Sequence, residues 1–242
     1  MAKFASMWWG PKLGPLELVC LKSFLYYGHD FTLYVYDKNL EVPKGITVKD
    51  ANDIVPESYM FSQDWPAMFA CYFRLKMLKQ EKVTWVDMDV VCLSDDWKET
   101  DYMWGKATRM GPNEINNAIL RIPSEAPILD FMINYIEEHD KTTFAKTDPG
   151  PVLLGDSVVD FGLQEFTREE SEFYPIHWAE AFLGVFKNLN AVTQGRINEN
   201  TRCFHFWGSQ VLESAGMNKE EIQEGSFLEW ATNKFVLGLE SG

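Results

Sequence analysis

Two aspartates one residue apart interrupt an apolar run: Val83-Thr84-Trp85-Val86-Asp87-Met88-Asp89-Val90-Val91-Cys92-Leu93. Residues at i and i+2 of a strand point to the same side. If Val83–Asp87 is a strand that breaks at its C-terminal end, Asp87 and Asp89 present two carboxylates at a strand edge, where open α/β sheets bind ligands. A carboxylate pair among apolar neighbours is costly to desolvate unless a cation or a reacting group uses it. The competing reading is two acids in a tight turn between buried strands. The other short spacing of this kind is Cys203-Phe204-His205. Its two side chains share a strand face, but two ligands without partners do not make a zinc site.

The elements that must position these groups follow from the apolar periodicity. Lys3–Trp9 reads as a first strand stopped by Gly10-Pro11, and Leu16, Val19, Leu21, Phe24 and Leu25 recur at near-helical spacing up to Tyr27-Gly28. Phe31–Tyr36 alternates as a strand and Ile46–Lys49 reads as a short third one. Strand, helix, strand is a βαβ opening and predicts a parallel sheet. A helix with a broad apolar face is predicted over Trp65–Lys79, carrying Arg74, immediately before the aspartate strand. Tyr102–Thr108 and Asn116–Ile122 read as further strands, Pro127–Glu138 as an amphipathic helix, and Val152–Phe161 as a helical run. Phe173–His177 reads as a short strand, Arg202–Phe206 as a late one, and the tail from Lys219 as helix-like.

Composition narrows the classes of partner. The chain has 242 residues, with 22 Lys and Arg against 36 Asp and Glu, a formal charge of −14. Nucleic acid and anionic membrane surfaces are therefore poor partners. At 46% hydrophobic residues it can bury a full core as one domain. The four cysteines, Cys20, Cys71, Cys92 and Cys203, are scattered without a C-x-x-C pair, as expected of reduced, buried thiols in a cytosolic protein. With no leader-like segment and no long apolar run, the expectation is a soluble cytoplasmic protein, bacterial or virus-encoded.

Two families share an Asp-x-Asp of this kind. In one, the haloacid-dehalogenase-like phosphotransferases, a hydrophobic strand ends in the first motif and a later strand ends in G-D-x-x-x-D. Asp87-Met88-Asp89-Val90-Val91 resembles the former and Leu153-Leu154-Gly155-Asp156-Ser157-Val158-Val159-Asp160 the latter. That resemblance implies Asp87 as nucleophile, Asp89 as acid/base, and Asp156 with Asp160 on Mg²⁺. It leaves unexplained the βαβ opening within the 86 residues that precede the motif.

The second resemblance spans most of the chain. Its pieces are Trp9-Gly10, Leu16-Glu17, Ser23-Phe24, Gly28-His29, Leu33-Tyr34, Asp50-Ala51, Phe73-Arg74-Leu75-Lys76-Met77-Leu78 and the Trp85–Leu93 stretch. They continue in Ile115-Asn116-Asn117-Ala118-Ile119-Leu120-Arg121, Gly150-Pro151, Phe173-Tyr174-Pro175 with Trp178, and His205-Phe206-Trp207. In this order and spacing the chain resembles the DXD-motif glycosyltransferases of the α-1,4-glycosyltransferase and capsular-polysaccharide-synthesis type. The resemblance implies an α/β, GT-A-like nucleotide-diphospho-sugar transferase fold: a mostly parallel central sheet with helices on both faces. A single domain is implied, with a nucleotide-binding half over about residues 1–95, an acceptor and donor-sugar half over about 96–220, and a tail helix over 221–242.

It implies in turn a nucleotide-sugar donor, UDP-linked, a glycan or other hydroxyl acceptor, and retention at the anomeric carbon. Asp87, Asp89 and His205 match the positions that hold Mn²⁺ or Mg²⁺ against the donor diphosphate. Oxygen ligands with one imidazole suit such a cation, which neutralises charge on the departing oxygen. By the same resemblance Asp89 and Asn117 are catalytic candidates. Trp8, Trp9, Arg74, Asp87, Asn116 and Trp207 are candidates for holding the donor, and Trp178 and Glu180 lie on the acceptor side. Core packing remains open for Trp8 and Trp9, a turn role for Asn116 and Asn117, and a surface ion pair for Arg74. Two positions depart from the family pattern. Cys71 stands three residues before Arg74 in place of an Asp, and Lys82-Val83 precedes the strand in place of Gly-Gly. A non-catalytic sugar-nucleotide or glycan-binding relative is the alternative that the cysteine raises.

Overall fold

The first strand, β1 (Lys3–Trp8), sends alternate side chains into two apolar layers. Ala2 and Phe4 belong to one cluster, Ala5 and Met7 to the other. The second strand, β2 (Asp30–Val35), does the same, with Phe31, Leu33 and Val35 on the first side and Tyr34 on the second. A strand buried on both faces needs a continuous apolar run rather than polar alternation, as in parallel sheets covered by helices. Each fully buried Phe or Leu contributes about 1.5–3 kcal/mol.

This computed structural model describes residues 1–61, 66–98, 100–108, 113–145, 147–208, 214, 216, 218 and 220–239. Between β1 and β2 runs α1 (Pro15–Tyr26), where Pro15 opens the helix and the Glu17 carboxylate accepts the Gly14 N–H at 2.8 Å. After β3 (Thr47–Asp50) come α2 (Pro66–Gln80), β4 (Thr84–Val86), β5 (Val90–Cys92), β6 (Met103–Lys106) and β7 (Ile115–Arg121). Then follow α3 (Pro127–Glu138), α4 (Leu153–Asp160), β8 (Thr167–Arg168) and β9 (Cys203–His205). The residue expected to open α2, Trp65, lies outside the described residues. Helix α3 buries Ile128, Leu129, Met132, Ile133 and Ile136, the face its periodicity predicts.

Seven strands form one sheet in the order β3-β2-β1-β4-β7-β6-β8. Pairings β1–β2, β2–β3, β1–β4 and β6–β8 are parallel, while β4–β7 and β6–β7 are antiparallel. The sheet is mostly parallel, with α1 and the tail packed on one face and α2, α3 and α4 on the other. The chain runs outward from β1 to β3, then returns to place β4 on the opposite side of β1. That reversal is a topological switch point, and the crevice beyond the carboxyl ends of β1 and β4 is where such a sheet binds ligands. Beside it, β5 and β9 pair antiparallel as a separate two-stranded sheet. Among the described residues, no helix is long and apolar enough to cross a membrane.

Four segments differ from the sequence expectation. Phe173–His177 is not a strand: a helical turn over Glu170–Phe173 precedes it, and Tyr174 N–H donates back to the Glu170 carbonyl. Pro175 has no N–H for a ladder, so Phe173, Tyr174 and Ile176 reach the core from irregular backbone. Strands β5 and β8 are too short to leave a periodic signal. The tail is helical over Phe227–Ala231, where Ser226 Oγ caps the Glu229 N–H at 3.1 Å, and closes in a wider turn, Thr232–Val236. Residues 221–226 are not helical.

Candidate active site

Strand β4 ends at Val86, and Asp87, Met88 and Asp89 make a tight turn into β5, with Val90 N–H donating to the Asp87 carbonyl at 3.2 Å. The aspartates do lie in a turn between buried strands. The turn alone does not bring their carboxylates together with a third ligand. That is done by the β5–β9 register, which sets His205 opposite Val90, with Phe206 N–H on the Asp89 carbonyl at 3.0 Å. As a result one ligand atom from each of Asp87, Asp89 and His205 lies within 4.8 Å of the others. Asp87 is attached to the C-terminal end of β4, at the switch point beside β1.

Each oxygen of this cluster has a defined environment. Asp89 Oδ1 lies 3.1 Å from His205 Nε2, and Oδ2 accepts the Gly208 N–H at 2.5 Å. Asp87 Oδ1 accepts the Trp85 indole N–H at 2.7 Å and lies 3.1 Å from Arg74 Nη2. Burial pushes the Asp87 carboxyl above its ordinary range, opposed by Arg74 and reinforced by the charge of Asp89. At Asp89 burial acts in the same sense, but His205 and the Gly208 N–H hold the carboxyl below the ordinary range. Two like charges this close separate in affinity for a proton. His205 Nδ1 is buried with no hydrogen-bond partner among the described residues. Nε2, the ring nitrogen that faces Asp89, completes with the two carboxylates a donor set that suits a divalent cation.

Arg74 is buried on α2, and its contacts hold the centre from behind. Besides Asp87, it donates through Nη1 to the Asn117 carbonyl and through Nε to the Ala70 carbonyl at 3.2 Å. Its guanidinium stacks 4.9 Å from the Trp85 ring. The surface ion pair that the sequence left open is excluded by this burial. Asn116 and Asn117 are both buried at the start of β7. Asn116 Oδ1 accepts the Ala118 N–H at 2.6 Å, and Asn117 Nδ2 donates to Cys71 Sγ at 3.5 Å. Cys71 thus stands in the site beside Asn117, and burial pushes its thiol up despite Arg74. The other three thiols are buried and free as well.

Gly150 closes over this corner. A Cβ there would lie 2.7 Å from Cys71 Sγ and 3.1 Å from Asn117 Nδ2. Gly150→Ala is therefore expected to destabilise the protein by about 1–3 kcal/mol, the usual cost of overpacking. Chemical denaturation measures it, and an unchanged midpoint would mean that the corner can open freely.

The remaining candidates are spread around the crevice. Trp8 and Trp9 are half-buried at the carboxyl end of β1, with indole N–H groups on the Lys12 carbonyl at 3.0 Å and Glu57 Oε1 at 3.1 Å. Trp207 packs beside the histidine. The residue is 9% exposed, its ring lies 4.6 Å from the His205 ring, and its indole N–H donates to the Ile176 carbonyl at 2.8 Å. It backs the histidine. It also has a φ of 66°, followed by Gly208 at 85°. A bulky residue in the left-handed region is a true outlier, and here the turn aims the Gly208 N–H at Asp89. Trp178 Nε1 donates to the Thr108 carbonyl at 3.2 Å and Glu180 pairs with Arg196 at 2.6 Å.

Two groups of the site escaped the sequence reading. Trp85 was legible only as a core residue, and its place two before Asp87 is the signal that it could reach a carboxylate. Gly208 contributes a backbone N–H that no side-chain motif encodes, although the glycine after a strand marks the turn. The phosphotransferase resemblance does not survive the fold. Leu153–Asp160 is helix α4 rather than a strand, and Asp156 and Asp160 are exposed on it.

No family model matches the chain, and the search of curated proteins returns no match. The chain is similar to several solved structures. One is the PaToxG glycosyltransferase, 12% identical, with 98% of this chain and 86% of that one covered at a TM-score of 0.47. Another is a glycosyltransferase involved in the glycosylation of the major capsid of PBCV-1, 13% identical, covering 89% and 97% at 0.48. A third is the galactosyltransferase LgtC in complex with donor and acceptor sugar analogs, 13% identical, covering 94% and 98% at 0.47. Likenesses this distant say nothing about the groups in the crevice, which must be read from their own chemistry.

Proposed function

We propose that this protein is a GT-A-type glycosyltransferase that moves a sugar from a nucleotide-sugar donor, a UDP-sugar, to a hydroxyl of a glycan or other acceptor, with retention. The observation that carries the reading is the Asp87, Asp89 and His205 cluster at the β1/β4 switch point. Those three residues would hold Mn²⁺ or Mg²⁺, which when bound supplies charge neutralisation at the departing diphosphate. In a chain of charge −14, an anionic donor needs such local compensation. Arg74 offsets the Asp87 charge from the protein side. Trp8 and Trp9 at the end of β1 offer aromatic faces for the base. On this reading Asn117, whose carbonyl accepts from Arg74, would contact the donor sugar.

Cys71 favours a second reading, a relative that binds a sugar nucleotide without transferring it. Its thiol occupies the corner beside Asn117 and takes that residue's amide N–H. Both readings are tested by thermal melting with Mn²⁺ against a panel of nucleotides and nucleotide sugars. At ligand about 100-fold above Kd, the melting temperature should rise by about 5 °C or more. The rise should require Mn²⁺ and a uridine nucleotide together. No rise with any nucleotide would count against both readings, and binding without donor hydrolysis or transfer would leave only the second.

A further inference from the structure

Asp87 presents its two oxygens unequally. Oδ1 takes two donors, the Trp85 indole N–H at 2.7 Å and Arg74 Nη2 at 3.1 Å, while no described donor reaches Oδ2. Both donors are set by the core. Trp85 is 2% exposed on β4, and the Arg74 guanidinium is locked by two backbone carbonyls and the Trp85 ring. Asp89 also has one oxygen held by the scaffold, Oδ2 on the Gly208 N–H, which leaves Oδ1 facing His205 Nε2. A carboxylate held this way has one oxygen to give. Ca²⁺ fills about six to eight positions and readily takes both oxygens of a carboxylate, whereas smaller octahedral cations accept single oxygens.

Given the metal centre proposed above, on which this step rests, we propose that Trp85 is a positioning residue that restricts Asp87 to one-oxygen ligation. In doing so it makes the centre select Mn²⁺ or Mg²⁺ over Ca²⁺. Trp85 acts through Asp87 and touches neither cation nor substrate. Outer groups of this kind orient ligands, and their loss typically lowers metal affinity about 10–100-fold.

The experiment is calorimetric titration of the full chain with Mn²⁺ and, separately, with Ca²⁺. Wild type, Trp85→Phe and Asp87→Asn are compared, with a thermal melt confirming that each is folded. Phenylalanine keeps a ring under Arg74 and removes only the N–H donor and some bulk. Mn²⁺ affinity should fall about 10-fold in Trp85→Phe, and the Mn²⁺-over-Ca²⁺ preference should narrow by a similar factor. Arg74→Lys, which disrupts the second donor to the same oxygen, should narrow it too and serves if Trp85→Phe does not fold. Equal losses for both cations, or an unchanged ratio in these variants, would overturn the selectivity role while Asp87→Asn still abolished binding. A folded wild type that binds no Mn²⁺ would instead overturn the metal centre itself.

Discussion

Asp89→Asn is expected to lower Mn²⁺-dependent transfer by at least about 10³-fold and to leave the fold intact. The loss reflects the role assigned to a bound cation. Its charge stabilisation is worth several kcal/mol, and each 1.4 kcal/mol or so is a factor of ten in rate. Asparagine keeps the size of the side chain and an oxygen for the Gly208 N–H, so the turn after β4 has no reason to open. The β5–β9 ladder and the backbone bond from Phe206 to Asp89 do not depend on the charge. Steady-state rates across a Mn²⁺ series, paired with a thermal melt, measure the two halves of the claim. Near-normal turnover in a folded Asp89→Asn protein would remove the aspartate from the reaction.

Arg74→Met should be among the most destabilising single changes in this chain, by about 3 kcal/mol, because it strips a partly buried carboxylate of its cation. The guanidinium meets Asp87, the Asn117 and Ala70 carbonyls, and the Trp85 ring, and methionine replaces none of its donors. A double-mutant cycle isolates the ionic part. Arg74→Met with Asp87→Asn should be less destabilised than the sum of the two single changes. The pH dependence has a definite sign. The Asp87 carboxyl is already raised by burial, and losing Arg74 raises it further. A raised carboxyl contributes stability that is fully present below its unfolded pKa and is lost as pH rises through its folded pKa. The deficit of Arg74→Met relative to wild type should therefore shrink as pH falls toward the Asp87 pKa. Urea unfolding at several pH values reads this directly, and a deficit that grows on acidification would show that Asp87 is not the charge being stranded.

Much of the scaffold was written in local pattern. The apolar runs of β1, β2 and β4, the five-residue face of α3 and the βαβ opening all follow from nearest neighbours in the chain. Asp87-Met88-Asp89 announced itself because charge inside an apolar run needs a reason. Local pattern failed where a residue's environment is built by distant segments. Phe173–His177 looked like a strand because apolar burial there comes from the surrounding core rather than from ladder pairing.

What the sequence by itself determined was the sheet, its helices and the two carboxylates at a strand end, since each depends on side-chain period and turn chemistry. Only the tertiary structure decided how His205, matched to them by resemblance alone, reaches the two carboxylates, that Arg74 and Trp85 share one oxygen of Asp87, and that Cys71 and Gly150 close the corner by Asn117. The physical reason is pairing across long separations. A three-residue ladder between β5 and β9 and one buried guanidinium create those contacts, and neither leaves a repeat or a period along the chain.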